Sequence, residues 1–212
     1  MSEAGAHQGQ LFVISAPSGA GKTSMVKTVS EQCPTIKPCI SHTTRAQRPG
    51  EQEGKDYFFV APGEFATMVE AGEFLEHAVV FGASYGTSHQ AVAAVRDQGC
   101  DVILEIDWQG ARSIRAHSTD AVSIFVLPPS LKALRGRLEG RGKDSADAIE
   151  GRMNEALAEM SHVHEYDYVI VNDQFDDACA ALRSIIEVHA LRTATFLARH
   201  GEHLADLITG QK

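Results

Sequence analysis

The sequence predicts an α/β protein built on a parallel core sheet with flanking helices. Two observations predict it. Apolar strand-like runs alternate with helix-like runs along most of the 212 residues, the pattern of parallel strands joined by helical crossovers. A glycine-rich turn, Ser15-Ala16-Pro17-Ser18-Gly19-Ala20-Gly21-Lys22-Thr23, separates the first apolar run from the first helical run. Strand, glycine-rich turn, Gly-Lys-Thr and helix are the context that a phosphate-binding P-loop requires. A chain of this length buries roughly 70–75% of its unfolded surface, enough for a core without staples.

Residues 10–15 read as the first strand and 23–33 as the first helix. Residues 102–107 read as a buried strand ending in acid, 109–116 as a short helix, and 121–127 as a strand closed by Pro128 and Pro129. Ser130 is placed to N-cap a helix that runs to Leu138. Residues 168–171 form a late strand. Residues 176–200 read as one long amphipathic helix, with Ala178, Ala181, Leu182, Ile185 and Ile186 at helical spacing. Two stretches break the alternation. Residues 40–97 hold extended runs at 57–60 and 73–80 around a helix near 64–71, which predicts an inserted, mostly antiparallel lobe. Residues 139–151 are charged and glycine-containing, and read as a mobile lid. The core is therefore expected from 10–39, 98–138 and 152–208, with residues 1–9 a disordered tail.

The net charge of −9 argues against a broad nucleic-acid surface and leaves room for a local basic pocket. Cys33, Cys39, Cys100 and Cys179 are scattered with no CxxC pair, so neither a zinc site nor a disulfide framework is suggested. Reduced thiols in a cytoplasmic protein are expected. His162 and His164 are expected on the polar surface. No apolar run approaches the ~20 residues of a membrane span.

In the glycine-rich turn, Gly19 and Gly21 allow tight bends that aim backbone N–H groups at phosphate oxygens. The helix N-terminus adds its partial positive charge. Lys22 is placed to reach β- and γ-phosphates, and the Thr23 hydroxyl to bind Mg²⁺. Ala16 stands where the first glycine of such loops usually stands, which a negative φ accommodates.

Three further groups carry chemistry. Ser41, Arg45, Arg48 and Tyr57 crowd one turn, and arginine forks suit phosphate. Alone they fit a solvated basic loop; beside a P-loop, a second phosphate site is the better reading. Glu76 lies near Tyr85, Gly86 and Thr87. A carboxylate at Glu76 would accept two hydrogen bonds from a guanine edge, and Thr87 would donate to the base oxygen. Taken alone, Glu76 also fits the commoner case of an exposed edge-strand glutamate. Arg137, Arg141 and Arg152 flank the charged stretch, where they would neutralise a transferred phosphoryl group or pair with Glu139 or Glu150. Glu105 and Asp107, two apart at a strand's C-terminal end, face one way at the ligand-binding edge of the sheet. Either can hold a Mg²⁺-bound water or a substrate amide. Asn172 follows a strand at the same edge, as a base contact or a turn residue.

Together these residues resemble the guanylate kinase family. The resemblance rests on residues 15–23 (SAPSGAGKT), 41–48 (SHTTRAQR), 54–58 (GKDYF), 74–76 (FLE), 85–87 (YGT), 105–110 (EIDWQG), 137–142 (RLEGRG) and 167–173 (DYVIVND), in order. It implies a P-loop nucleoside-monophosphate kinase fold and the reaction ATP + GMP ⇌ ADP + GDP with Mg²⁺. By implication Ala16, Pro17, Ser18, Gly19, Ala20, Gly21, Lys22, Thr23 and Ser24 hold ATP, with Asn172 near adenine and Mg²⁺ on Thr23. Ser41, Arg45, Arg48, Tyr57 and Tyr85 would hold the GMP phosphate in the lobe 40–97. Glu76, Gly86 and Thr87 would read guanine, with Glu105 and Asp107 near that base. Lys22, Arg45, Arg137, Arg141 and Arg152 would act on the transferred phosphoryl. The implied partners are these small molecules, without nucleic acid or membrane. A homo-oligomer stays open, since the C-terminal helix can pack in a dimer or cover the sheet. The rival is a catalytically inactive guanylate-kinase-like protein-binding module, which the presence of Lys22, Thr23, Arg45 and Glu76 opposes.

Overall fold

The computed structural model describes residues 9–80, 82–140 and 145–209. In chain order the elements are β1 (Leu11–Ser15), α1 (Lys22–Gln32), β2 (Ile36–Pro38), β3 (His42–Thr43), β4 (Phe58–Phe59), α2 (Pro62–Glu70), β5 (Phe74–Val80), β6 (Ala83–Ser88) and α3 (His89–Arg96). They continue with β7 (Asp101–Glu105), α4 (Trp108–His117), β8 (Val122–Leu127), α5 (Leu131–Glu139), α6 (Ala146–Met160), a 3₁₀ turn (Val163–Glu165), β9 (Tyr168–Val171), α7 (Phe175–Ala190) and α8 (Thr193–Thr209).

The core sheet is parallel throughout, in the order β2-β7-β1-β8-β9. All five residues of β1 are buried, because helices cover both faces of a central parallel strand. On one face Phe12 and Ile14 pack with Met25, Val26 and Val29 of α1 and Leu182 and Ile186 of α7. On the other, Val13 and Leu104 pack with Val92 of α3 and Ala111 and Ile114 of α4. The alternating strands and helices bear out the expected α/β class.

The second sheet has the order β4-β3-β6-β5. Its pairings are antiparallel except β3 with β4. Phe65 of α2 stacks on Phe74 of β5 with ring centroids 4.6 Å apart. A β-carbon at Gly86 would stand 2.8 Å from the Phe74 ring. Gly86, expected at the substrate, makes room for this aromatic pair.

Four expectations are corrected. Gly9 belongs to the folded chain, not to a tail: it is buried, and its carbonyl accepts from Arg96 Nε at 3.1 Å. Residues 1–8 lie outside the described residues. The helix expected at 176–200 is two. Leu191 and Arg192 donate back to Val188 and His189 in a tight turn, and α8 then sets off so that Arg199 pairs with buried Asp101. The apolar period runs on through this corner, so the sequence does not mark it. Helix enters the stretch 139–151 from both sides, since α5 ends at Glu139 and Ser145 caps α6 by accepting from the Ala148 N–H; residues 141–144 are not described. Finally, His162 is not surface decoration. It stacks on Trp108 at 3.8 Å between centroids, 12° from parallel. Its Nδ1 lies 2.7 Å from Glu165, which also accepts from Arg112 and Arg115. Chiefly through Arg112, this holds the Glu165 carboxyl down at about 2 and ties the end of α6 to α4.

Leu182 is fully buried between α7 and the sheet. Leu182→Ala is expected to cost about 2–5 kcal/mol of folding stability, measured as a shift of the urea midpoint at unchanged slope.

Candidate active site

The turn after β1 builds an anion cradle. Gly19 and Gly21 have φ of 93° and 96°, a left-handed backbone that other residues adopt at a cost. Gly21 stands at the N-cap of α1. Among the described residues no side chain caps that helix, and its first turn holds no acid. Its first N–H groups are left for an anion, with the helix dipole behind them.

The back of the cradle is braced. Ala20 is fully buried. Its carbonyl accepts from Asn172 Nδ2 at 2.6 Å and from Arg137 Nη1 at 3.4 Å. Arg137 Nη2 also donates to the Asn172 carbonyl at 2.9 Å. Leu134 and Leu138 of α5 lie 3.1 Å from where a β-carbon at Gly19 would stand. Asn172, expected beside a base, and Arg137, expected on a transferred group, both donate to the Ala20 carbonyl of the loop, one from the end of β9 and the other from α5.

The loop faces a cleft of about 1060 Å³, lined also by Ser41, Arg45, Arg48, Tyr57 and Tyr85 from the second-sheet side. Of the predicted loop residues, Ala16, Pro17, Ser18, Gly19, Gly21, Lys22, Thr23 and Ser24 line it, and Ala20 does not. Lys22 Nζ rests on the Ile106 carbonyl at 3.2 Å. Arg45 pairs with Glu51 at 2.7 Å and lies 5.4 Å from the Tyr57 ring centroid. Arg48 presents its side chain to the cleft while its N–H donates to Glu51. The structure thus brings these five residues to the same cleft as the loop.

The structure separates Glu105 from Asp107. Thr23 Oγ1 donates to Glu105 Oε2 at 2.8 Å, so Glu105 stands beside the loop. Asp107 lines the cleft but spends Oδ1 on capping α4, accepting from Gly110 N–H at 3.0 Å. Thr23 and Glu105 are hard oxygen donors suited to Mg²⁺. Among the described residues no cluster of three or more His, Cys, Asp or Glu could hold a metal alone. That fits a cation completed by phosphate oxygens and water rather than caged by protein.

Glu76 on β5 is 4% exposed yet lines this cleft. Thr87 Oγ1 donates to its Oε1 at 2.6 Å, and Ser41 Oγ lies 3.3 Å from the same hydroxyl. Desolvation pushes the Glu76 carboxyl up to about 7, with Asp107 adding to the rise and Thr87 and Lys22 opposing it. Thr87 is fully buried and serves the carboxylate; it was expected to face the base directly.

Sequence reasoning passed over Glu159. From the last turn of α6 it lines the cleft. Burial raises its carboxyl to about 7, against the pull of Lys22 and a hydrogen bond from the Ser18 backbone. No motif marks it, because α6 reaches the loop only through the fold. Arg152 lies partly buried on α6 and does not line the cleft. Arg141 lies outside the described residues. Arg135, not one of the expected three, pairs with Glu150 and links α5 to α6.

A P-loop at the C-terminal edge of a parallel sheet, sharing one cleft with a second arginine site, defines a P-loop kinase of the nucleoside-monophosphate kinase fold. The family model described as guanylate kinase matches residues 8–189. The guanylate kinase of Hahella chejuensis is 50% identical over 204 residues, 96% of this chain and 98% of that protein. That of Pseudomonas fluorescens Pf0-1 is 52% identical over 200 residues, 94% and 97% of the two chains. The crystal structure of guanylate kinase from Anaplasma phagocytophilum superposes with a TM-score of 0.73 at 35% identity, covering 88% of this chain and 89% of that one. This chain belongs to the guanylate kinase family.

Glu76 holds its proton up to about 7 when folded and releases it near 4.5 when unfolded. The folded state therefore binds more protons between these values, and Glu76 loses stability for the fold as pH rises through that window. Glu76→Gln removes the loss. Relative to wild type, the nucleotide-free variant is expected to gain on the order of 2–3 kcal/mol between pH 4.5 and pH 8, read from urea unfolding at each pH.

Proposed function

We infer that the protein transfers the γ-phosphoryl group of ATP to GMP, giving ADP and GDP. The observation that carries this reading is the buried Glu76 carboxyl, which opens onto the same cleft as the P-loop. When ionised it accepts from N1–H and the 2-amino group of guanine. Adenine offers an acceptor at N1 and no 2-amino group, which would leave the buried carboxylate unpaired. Sites of that design discriminate by about 10⁴–10⁵.

The N–H groups of the loop and Lys22 hold the ATP phosphates. Ser41, Arg45, Arg48, Tyr57 and Tyr85 hold the GMP phosphate, and the second sheet is the GMP-binding lobe. A GMP phosphate oxygen attacks Pγ, the bond from Pγ to the β,γ-bridging oxygen breaks, and ADP leaves. Thr23, with Glu105 hydrogen-bonded to its hydroxyl, would hold Mg²⁺, which would supply neutralisation of phosphate charge. Lys22 and Arg45 balance the rest, and Arg141 is expected in the same role. Arg137 and Asn172 contribute by holding the loop.

The net charge of −9 and the local basic cleft favour small anionic partners over nucleic acid. Among the described residues no helix is long and apolar enough to cross a membrane. The four cysteines carry free thiols, which fits a cytoplasmic location.

A coupled assay of the purified protein with ATP against GMP, AMP, UMP and CMP tests the reading, and turnover confined to GMP is expected. Glu76→Gln should raise the KM for GMP at least about 100-fold, a loss of ~2.7 kcal/mol, with the KM for ATP changed less than about twofold. Unchanged GMP turnover by that variant would rule out guanine reading. Lys22→Ala should lower kcat by about 10²–10³, in the range found for removing one group that stabilises transition-state charge. Its thermal midpoint should move little, because among the described residues Lys22 makes one hydrogen bond, to a carbonyl.

A further inference from the structure

Gly110 is the third residue of α4, and its N–H donates to the capping carboxylate of Asp107 at 3.0 Å. It is buried. A β-carbon built at Gly110 would lie inside the contact distance of Glu76 Oε2, 3.1 Å from Glu76 Cδ and 3.3 Å from Ile106 Cδ1. The carboxylate of Glu76 thus occupies the space that any other residue at 110 would fill. Its other oxygen accepts from Thr87 Oγ1, so the carboxylate can yield to a β-carbon only by changing its aim. Glycine is a poor helix former and alanine the best. Nothing in the local backbone asks for glycine either, because Gly110 is absent from the positive-φ glycines. The feature that requires glycine is the carboxylate.

We propose that Gly110 is a specificity-determining positioning residue: the missing side chain aims the Glu76 carboxylate into the cleft, where it meets the guanine edge. The inference rests on the guanine-reading role of Glu76. It adds that the turn from β7 into α4 sets where that carboxylate stands. Gly110 touches neither substrate and acts only through Glu76. The first turn of α4 lies behind Oε2, and its dipole favours the ionised form that guanine needs. A methyl group at 110 would push the carboxylate away from this turn and out of line with its two donors.

The test is a double-mutant cycle of Gly110→Ala and Glu76→Gln with steady-state kinetics. Gly110→Ala is expected to raise the KM for GMP by about tenfold or more, ~1.4 kcal/mol, leaving the KM for ATP within about twofold. The double variant should match Glu76→Gln alone, because each change removes the same aimed carboxylate. The thermal midpoint of Gly110→Ala should hold or rise, since the helix gains alanine.

A GMP KM within twofold of wild type in Gly110→Ala, with Glu76→Gln impaired, would overturn the proposal and leave guanine reading standing. Multiplying effects in the double variant would also overturn it, as Gly110 would then act by another route. So would loss of the fold in Gly110→Ala, which would make the glycine a requirement of the core. If Glu76→Gln itself bound GMP as wild type does, the guanine-reading role would fall, an outcome separate from the other three.

Discussion

A loop that turns its N–H groups toward a cleft must turn carbonyls the other way. Behind this P-loop lies the core, and a buried carbonyl without a donor costs about 1–3 kcal/mol. The hydrogen bond from Asn172 to the Ala20 carbonyl answers that constraint, and Arg137 adds a second donor. Asn172 Oδ1 is buried and has no partner among the described residues. Turning the amide over would set that oxygen against the Ala20 carbonyl, so the orientation follows from the bond it makes. Gly21 takes part as well, because any β-carbon there would collide with the Asn172 amide. The loop's second glycine is thus required twice, by its φ of 96° and by the brace behind it.

The braced loop fixes one side of the cleft, and the other side is set by charge. Glu76 is a carboxyl in a site dry enough to hold its proton to about 7. Burying such a group is unfavourable for the fold, and the structure offsets only part of that through Thr87 and the distant Lys22. Across the cleft, Arg45 is paired with Glu51.

What was legible in the sequence follows from which interactions are local. The P-loop, the core strands, the cap of α5 by Ser130 and the grouping of Arg45, Arg48 and Tyr57 depend on neighbours in the chain, and each stands as read. Other residues take their contacts from distant elements. Asn172 and Arg137 lie 152 and 117 residues from Ala20, and no spacing rule says from which side of the loop they come. Thr87 was read as facing a ligand because side-chain direction on β6 depends on pairing with β5, where the register shifts between Phe74 and Glu76. His162 became structural only when α4 brought Trp108 beneath it. The corner between α7 and α8 carries no glycine or proline. It is set by the ion pair of Arg199 with Asp101, a partner 98 residues away.

The loop is also joined to the helices around the charged stretch. Leu134, Arg137 and Leu138 of α5 press on its back, Arg135 pairs α5 with Glu150 of α6, and Glu159 brings α6 to the loop's front. The far end of α6 is held by the stack of His162 on Trp108 and by the arginines on Glu165. Trp108 and Gly110 lie in the first turn of α4, so one short turn anchors α6 and backs the Glu76 carboxyl. Contacts thus run from α6 to the P-loop, through α5 and Glu159, and to α4, whose first turn backs Glu76, although 53 residues separate Thr23 from Glu76 in the chain.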